Sequence, residues 1–71
     1  MVANKKKLIG KMAEEEYTKQ KLAKALGMSA PTLRAKIESP DAEFSISESL
    51  SAKDILHLTD EEYLEIFINY N

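Results

Sequence analysis

Thr18-Lys19-Gln20-Lys21-Leu22-Ala23-Lys24-Ala25-Leu26-Gly27-Met28-Ser29-Ala30-Pro31-Thr32-Leu33-Arg34-Ala35-Lys36-Ile37 reads as two short helices joined by a tight turn. Thr18 is a good N-cap, and Leu22, Ala23 and Leu26 recur at helical spacing to give the first helix an inner face. Gly27 supplies the left-handed position that ends a helix without steric cost. Two residues later Ser29 can cap a second helix, with Ala30-Pro31 in its first turn, where a missing N–H is harmless. Leu33 and Ile37 are its i, i+4 apolar stripe, and Pro40 pushes Ser39 out of helical conformation, so this helix ends near Glu38. The small Ala23 allows a close helix crossing. A helix-turn-helix unit is therefore expected, although plain helical bundles use the same pieces.

Around this unit the chain reads as helical. About Lys5 to Glu16 places Leu8, Ile9, Met12 and Ala13 on one face, with Asn4 as N-cap. Its lysines stand at the start and its glutamates at the end, against the helix dipole, so local helix stability does not explain Lys5-Lys6-Lys7. Ser39-Pro40-Asp41 reads as a turn. Phe44 to Ser51 alternates polar and apolar as a strand would. Over a longer window Ile46, Leu50, Ala52, Ile55 and Leu56 favour a helix from about Ser47 to His57. Thr59-Asp60-Glu61-Glu62 is a capping box that opens a fifth helix carrying Tyr63, Leu64, Ile66 and Phe67. Tyr63, Phe67, Ile68 and Tyr70 are candidates for core or for a dimer interface. The expected architecture is one all-α, compact five-helix domain, ordered over about residues 5–68.

Composition narrows the function. The 71 residues, 44% hydrophobic and 31% charged, make a small globular domain with a thin core. No cysteine and a single histidine exclude thiolate and multi-histidine metal sites. His57 reads as a satisfied polar residue or a cap, and Asp60-Glu61-Glu62 suits a helix N-terminus without a metal. Ser45, Ser47, Ser49 and Ser51 lack a partner base. Neither an enzyme nor a cofactor is expected. With no apolar run near 20 residues and no apolar stretch behind the opening lysines, the expectation is a cytoplasmic protein without a membrane partner.

The net charge of −2 hides a polarity along the chain. Residues 1–37 hold nine basic side chains against three glutamates, a net +6, whereas residues 38–71 hold one lysine against nine acids, a net −8. That asymmetry fits either a polyanion partner at one end or solvated helix faces of unequal sign.

The 18–37 stretch, together with Glu43-Phe44-Ser45 and Leu58 to Phe67, resembles the λ repressor-like helix-turn-helix family, in particular the small Cro-like and modulator-of-repression proteins of temperate phages of Gram-positive bacteria. The resemblance covers nearly the whole chain. It implies a domain whose third helix enters the DNA major groove, often as a homodimer on a two-fold operator of a lysis–lysogeny switch. By resemblance the base-reading positions are Ala30, Pro31, Arg34 and Ala35, with Thr32 beside them and Lys19 at a phosphate-contacting position. Lys21 and Lys36 complete the basic front. The chain departs from the family where Ala30, Pro31 and Ala35 lack a side-chain donor or acceptor, which leaves Arg34 alone to make a bidentate guanine contact. Ser39-Pro40 also replaces the usual Asn-Gly turn. The same face, small and apolar with a basic rim of Lys24, Arg34 and Lys36, implies an alternative partner: the N-terminal domain of the cognate phage repressor, blocked by an antirepressor.

Overall fold

In a computed structural model, which describes residues 2–39 and 43–68, every regular element is helical. The helices are α1 (Lys5–Glu14), α2 (Lys19–Leu26), α3 (Ala30–Glu38), α4 (Ile46–Ile55) and α5 (Asp60–Tyr63), the last continuing directly as a π-helical turn, Leu64–Ile68. A radius of gyration of 10.7 Å is close to the roughly 11 Å expected for a packed chain of this length. No helix among the described residues is long and apolar enough to cross a membrane.

Every helix start is written in the sequence as a side-chain cap. Asn4, Thr18, Ser29, Ser45 and Thr59 each accept a bond from the backbone N–H three residues on. At Ser45 and Thr59 the capping box is complete, because Glu48 and Glu62 bond back to the cap N–H at 2.8 Å in both cases. The Ser45–Glu48 box moves the start of α4 to Ile46, ahead of the expected Ser47.

Three helix ends share one geometry. Residues Glu16, Gly27 and His57 lie in the left-handed region, with φ of 60°, 76° and 55°. Each is followed by an apolar residue (Tyr17, Met28, Leu58) whose N–H reaches back five residues to a carbonyl, at 2.8, 2.9 and 2.9 Å. This is the Schellman arrangement. Only Gly27 announces it in sequence. Accordingly α1 stops at Glu14 rather than Glu16, and α4 stops at Ile55 rather than His57.

The core gathers Leu8 and Met12 of α1, Leu22 and Ala23 of α2, Leu33 and Ile37 of α3, Ala52 of α4, and Ile66 and Phe67 of the π turn. Ala3, Phe44, Leu56 and Leu58 close it from the connecting segments. The α2 helix packs on α3 and α4, while α1 packs on the π turn. The Phe67 ring meets Phe44 edge-on at 5.4 Å and Tyr63 at 5.5 Å. Ile66 lies in the last turn, where carbonyls lack partners within the helix, and its carbonyl takes the Asn4 N–H at 2.7 Å.

Several expectations about faces are corrected. Ile46 and Leu50, whose apolar spacing favoured a helix here, do not form its inner face: they are 67% and 51% exposed. The buried side of α4 is instead Ser49 and Ala52. Ser49 tolerates burial because its Oγ donates to the Ile46 carbonyl at 2.7 Å and takes the Tyr63 hydroxyl at 2.8 Å. Of the α1 face, Leu8 and Met12 are buried, but Ile9 and Ala13 are exposed. Phe67 is core, Tyr63 is half-buried, and Leu64 and Ile68 face outward. Ser39 is extended, while the rest of the expected Ser39-Pro40-Asp41 turn and Tyr70 lie outside the described residues.

Two predictions arise here. Gly10 sits exposed in mid-α1, and a Cβ built on it meets nothing within 4 Å. Gly10→Ala is therefore expected to stabilise the fold by about 0.5–1 kcal/mol, seen as a Tm several degrees higher. Glu48 and Glu62 are held below the ordinary carboxylate value of 4.5. In each case the cap N–H bond is the leading cause, and Lys36 or Lys11 adds to it. A pKa lowered by folding contributes stability above the unfolded value and loses it as pH falls through the folded one. The Tm should stay level from neutral pH to about 4.5 and decline below it, and Glu48→Gln should shrink the decline.

Candidate nucleic-acid interface

The exposed side of α3 is a stripe at i, i+3, i+4 and i+7: Pro31, Arg34, Ala35 and Glu38. Leu33 and Ile37 pin the opposite side into the core. Ser29 fixes the start of the helix by accepting the Thr32 N–H at 3.3 Å and sharing a 2.7 Å hydroxyl bond with Thr32 Oγ1. Thr32 is exposed at this end, and Ala30 is half-buried against the core.

Beside the start of α3 lies an open groove of about 490 Å³, lined by Thr18, Gln20, Lys21, Lys24, Met28 and Ala30. Lys21 stands 4.8 Å above the Tyr17 ring, which holds its ammonium on this side. Gln20 and Met28 were not among the expected contact residues, and Lys24 was expected only in the rim of the partner-binding face. The signal for Gln20 and Lys24 is their i, i+4 spacing on the outer face of α2.

Four of the nine basic side chains in the first half of the chain pair with acids of the second half. Lys7 pairs with Glu65 at 2.9 Å, and Lys11, its side chain only 11% exposed, meets Glu62 at 3.1 Å and Glu14 at 3.5 Å. Lys5 donates to the Glu38 carbonyl at 2.6 Å, and Lys19 pairs with the Glu38 carboxylate at 2.7 Å. The Lys36 ammonium meets Glu48 at 3.2 Å and the Glu43 carbonyl at 2.8 Å, tying α3 to the start of α4. Charges segregated in sequence thus meet in space. Among the described residues, Lys6, Lys21, Lys24 and Arg34 make no ion pair.

Of the expected site residues, the structure brings Pro31, Arg34 and Ala35 into one exposed stripe and sets Lys21 and Ala30 on the adjoining groove. Lys19 and Lys36 carry intramolecular partners instead. Glu38, missed in sequence, completes the stripe, and its i+4 spacing from Arg34 was the available signal. His57 is an exposed turn residue whose Nδ1 lies 2.9 Å from Glu15 Oε1. No group of acids and histidine among the described residues is placed to hold a metal ion. No protein-family model, curated protein or solved structure matches the chain.

Proposed function

We propose that this protein is a Cro-like DNA-binding regulator of a phage genetic switch, with α2 and α3 forming a helix-turn-helix and α3 entering the major groove. The observation that carries the reading is the grouping of Lys21 and Lys24 on the groove beside α3 with Arg34 on its exposed stripe, none of the three held in an ion pair. Unpaired cations on one short helix pair suit phosphate contacts, and an arginine one turn into α3 has the donors that a bidentate guanine contact uses.

The test is a fluorescence-anisotropy titration of a random-sequence duplex library at several salt concentrations, followed by selection for preferred sequences. Log affinity should fall steeply with log salt, and Lys21→Gln and Lys24→Gln should each reduce the slope by about one. Arg34→Ala should relax preference at one base position, worth about 1–3 kcal/mol, while much of the non-specific binding survives. Absence of duplex binding at low salt refutes the reading.

A second reading, capture of the phage repressor's DNA-binding domain, is favoured by the lack of donors and acceptors on Pro31, Ala35 and Ala30. In that case Ala35→Gln abolishes repressor binding, because a larger side chain blocks close approach. On the DNA reading the added amide leaves duplex binding intact or improves it.

A further inference from the structure

Glu38 stands where neither helix stability nor the proposed function wants an acid. It is the last residue of α3, at the negative end of the helix dipole. Its partner Lys19 is the first residue of α2, and Lys5 the first of α1, each a cation at the positive end of its own helix. All three therefore carry the charge that their local position disfavours. The Lys19–Glu38 pair is also open to water, with side chains 35% and 53% exposed, and such pairs add little to stability. Lys5 has a structural role here, because it caps the last carbonyl of α3, but nothing local favours the carboxylate of Glu38.

The cluster has the make-up of an anion site. Lys19 Nζ lies 2.7 Å from Glu38 Oε2, and Lys5 Nζ donates at 2.6 Å to the main-chain carbonyl of the same residue. Arg34 lies one turn before Glu38 on the same exposed stripe. Two ammonium groups from different helices thus meet at Glu38, Lys19 on its carboxylate and Lys5 on its carbonyl, with the Arg34 charge one turn away. The Lys19 hydrogen bond first, and then the charges of Lys19, Arg34 and Lys5, hold the Glu38 carboxyl below its ordinary value and keep it ionised at neutral pH.

We propose that Lys19, with Lys5 beside it, forms a binding site for one phosphodiester of a nucleic-acid backbone, and that the Glu38 carboxylate occupies Lys19 in the free protein. The proposal rests on the nucleic-acid reading above. A backbone phosphate must displace Glu38 from Lys19 before that lysine counts as a contact. Glu38 thereby lowers the general affinity of the face for nucleic acid and leaves a larger share of binding to the contacts of α3. It is a specificity-determining residue that works through Lys19.

The experiment compares Glu38→Gln with Glu65→Gln. Both remove one negative charge, and Glu65→Gln frees Lys7 from a likewise exposed pair between α1 and the π turn. Each variant is first melted to confirm that the fold is retained. It is then titrated with the random-sequence duplex library across salt concentrations and eluted from immobilised heparin. The expected result is that Glu38→Gln binds duplex about fivefold tighter than Glu65→Gln, the effect of one unit charge about 4 Å away in water. Its salt slope should steepen by about one, and Lys19→Gln in the same chain should cancel both gains. Equal gains from the two glutamine variants, on duplex and on heparin, overturn the proposal while leaving the nucleic-acid reading in place if the parent binds duplex. Failure of the parent and of Glu38→Gln alike to bind duplex overturns both together.

Discussion

Replacing Phe67 by alanine is expected to leave the protein without a cooperative thermal transition at room temperature. The Phe67 side chain is 2% exposed and joins three parts of the fold, since its ring contacts Phe44 before α4 and Tyr63 in α5, while neighbouring Ile66 receives the Asn4 N–H. Truncating a buried phenylalanine costs about 3–5 kcal/mol through lost burial and the cavity left behind. A domain of 71 residues at roughly 0.05–0.15 kcal/mol per residue has about 4–11 kcal/mol in total, and a core this small belongs near the lower end. The adjacent Ile68→Ala is the control. Ile68 is half exposed, so its truncation should shift stability by no more than about 0.5 kcal/mol. Far-UV circular dichroism in a urea series separates the two, and comparable effects would contradict the burial assigned to the π turn.

Ala23→Leu is the second large effect, and it acts by overfilling. Ala23 is 1% exposed in the core cluster, on the helix that packs against both α3 and α4. The small side chain allows that approach, and its carbonyl anchors the turn by accepting the Met28 N–H at 2.9 Å. Added methylenes in such a seam cost about 1–3 kcal/mol. No single lysine replacement should approach this figure, because surface changes usually stay within about 0.5 kcal/mol. Ala25→Leu, two residues along the same helix but exposed, should be tolerated. A urea midpoint for Ala23→Leu equal to the parent's would mean that the α2 seam is open.

Which parts of this molecule could be read from the chain follows from the range of the interactions. Caps are local, and Asn4, Thr18, Ser29 and Thr59 act as their residue types predict. The left-handed end at Gly27 was equally legible, because glycine advertises it. Glu16 and His57 adopt the same conformation without a residue type that favours it, held by the apolar residue that follows each, so the ends of α1 and α4 were misplaced. The α4 face failed for another reason. Hydropathy puts Ile46 and Leu50 inside, but a hydroxyl pair between Ser49 and Tyr63, distant in sequence, turns the serine side inward instead. Charge was legible as composition and not as geometry. The lysines of α1 look exposed and unassigned in sequence, yet Lys7 and Lys11 meet Glu65 and Glu62 across the fold. For the candidate site, Arg34 and Ala35 were expected by the family resemblance and their exposure follows from the helical period of α3, whereas the engagement of Lys19 and Lys36 depends on tertiary neighbours.

The central claim is that the exposed stripe of α3 is the working surface against DNA. Its most direct test is a charge-matched pair of variants in one duplex-binding titration at low salt. Ala35→Glu puts a carboxylate in the middle of the stripe, and Ser51→Glu puts the same charge on an exposed position of α4. The account predicts that Ala35→Glu abolishes measurable binding to the duplex library, while Ser51→Glu binds within about twofold of the parent, its exposed charge lying outside the proposed interface and screened by solvent. Equal affinity of the two variants would contradict the claim.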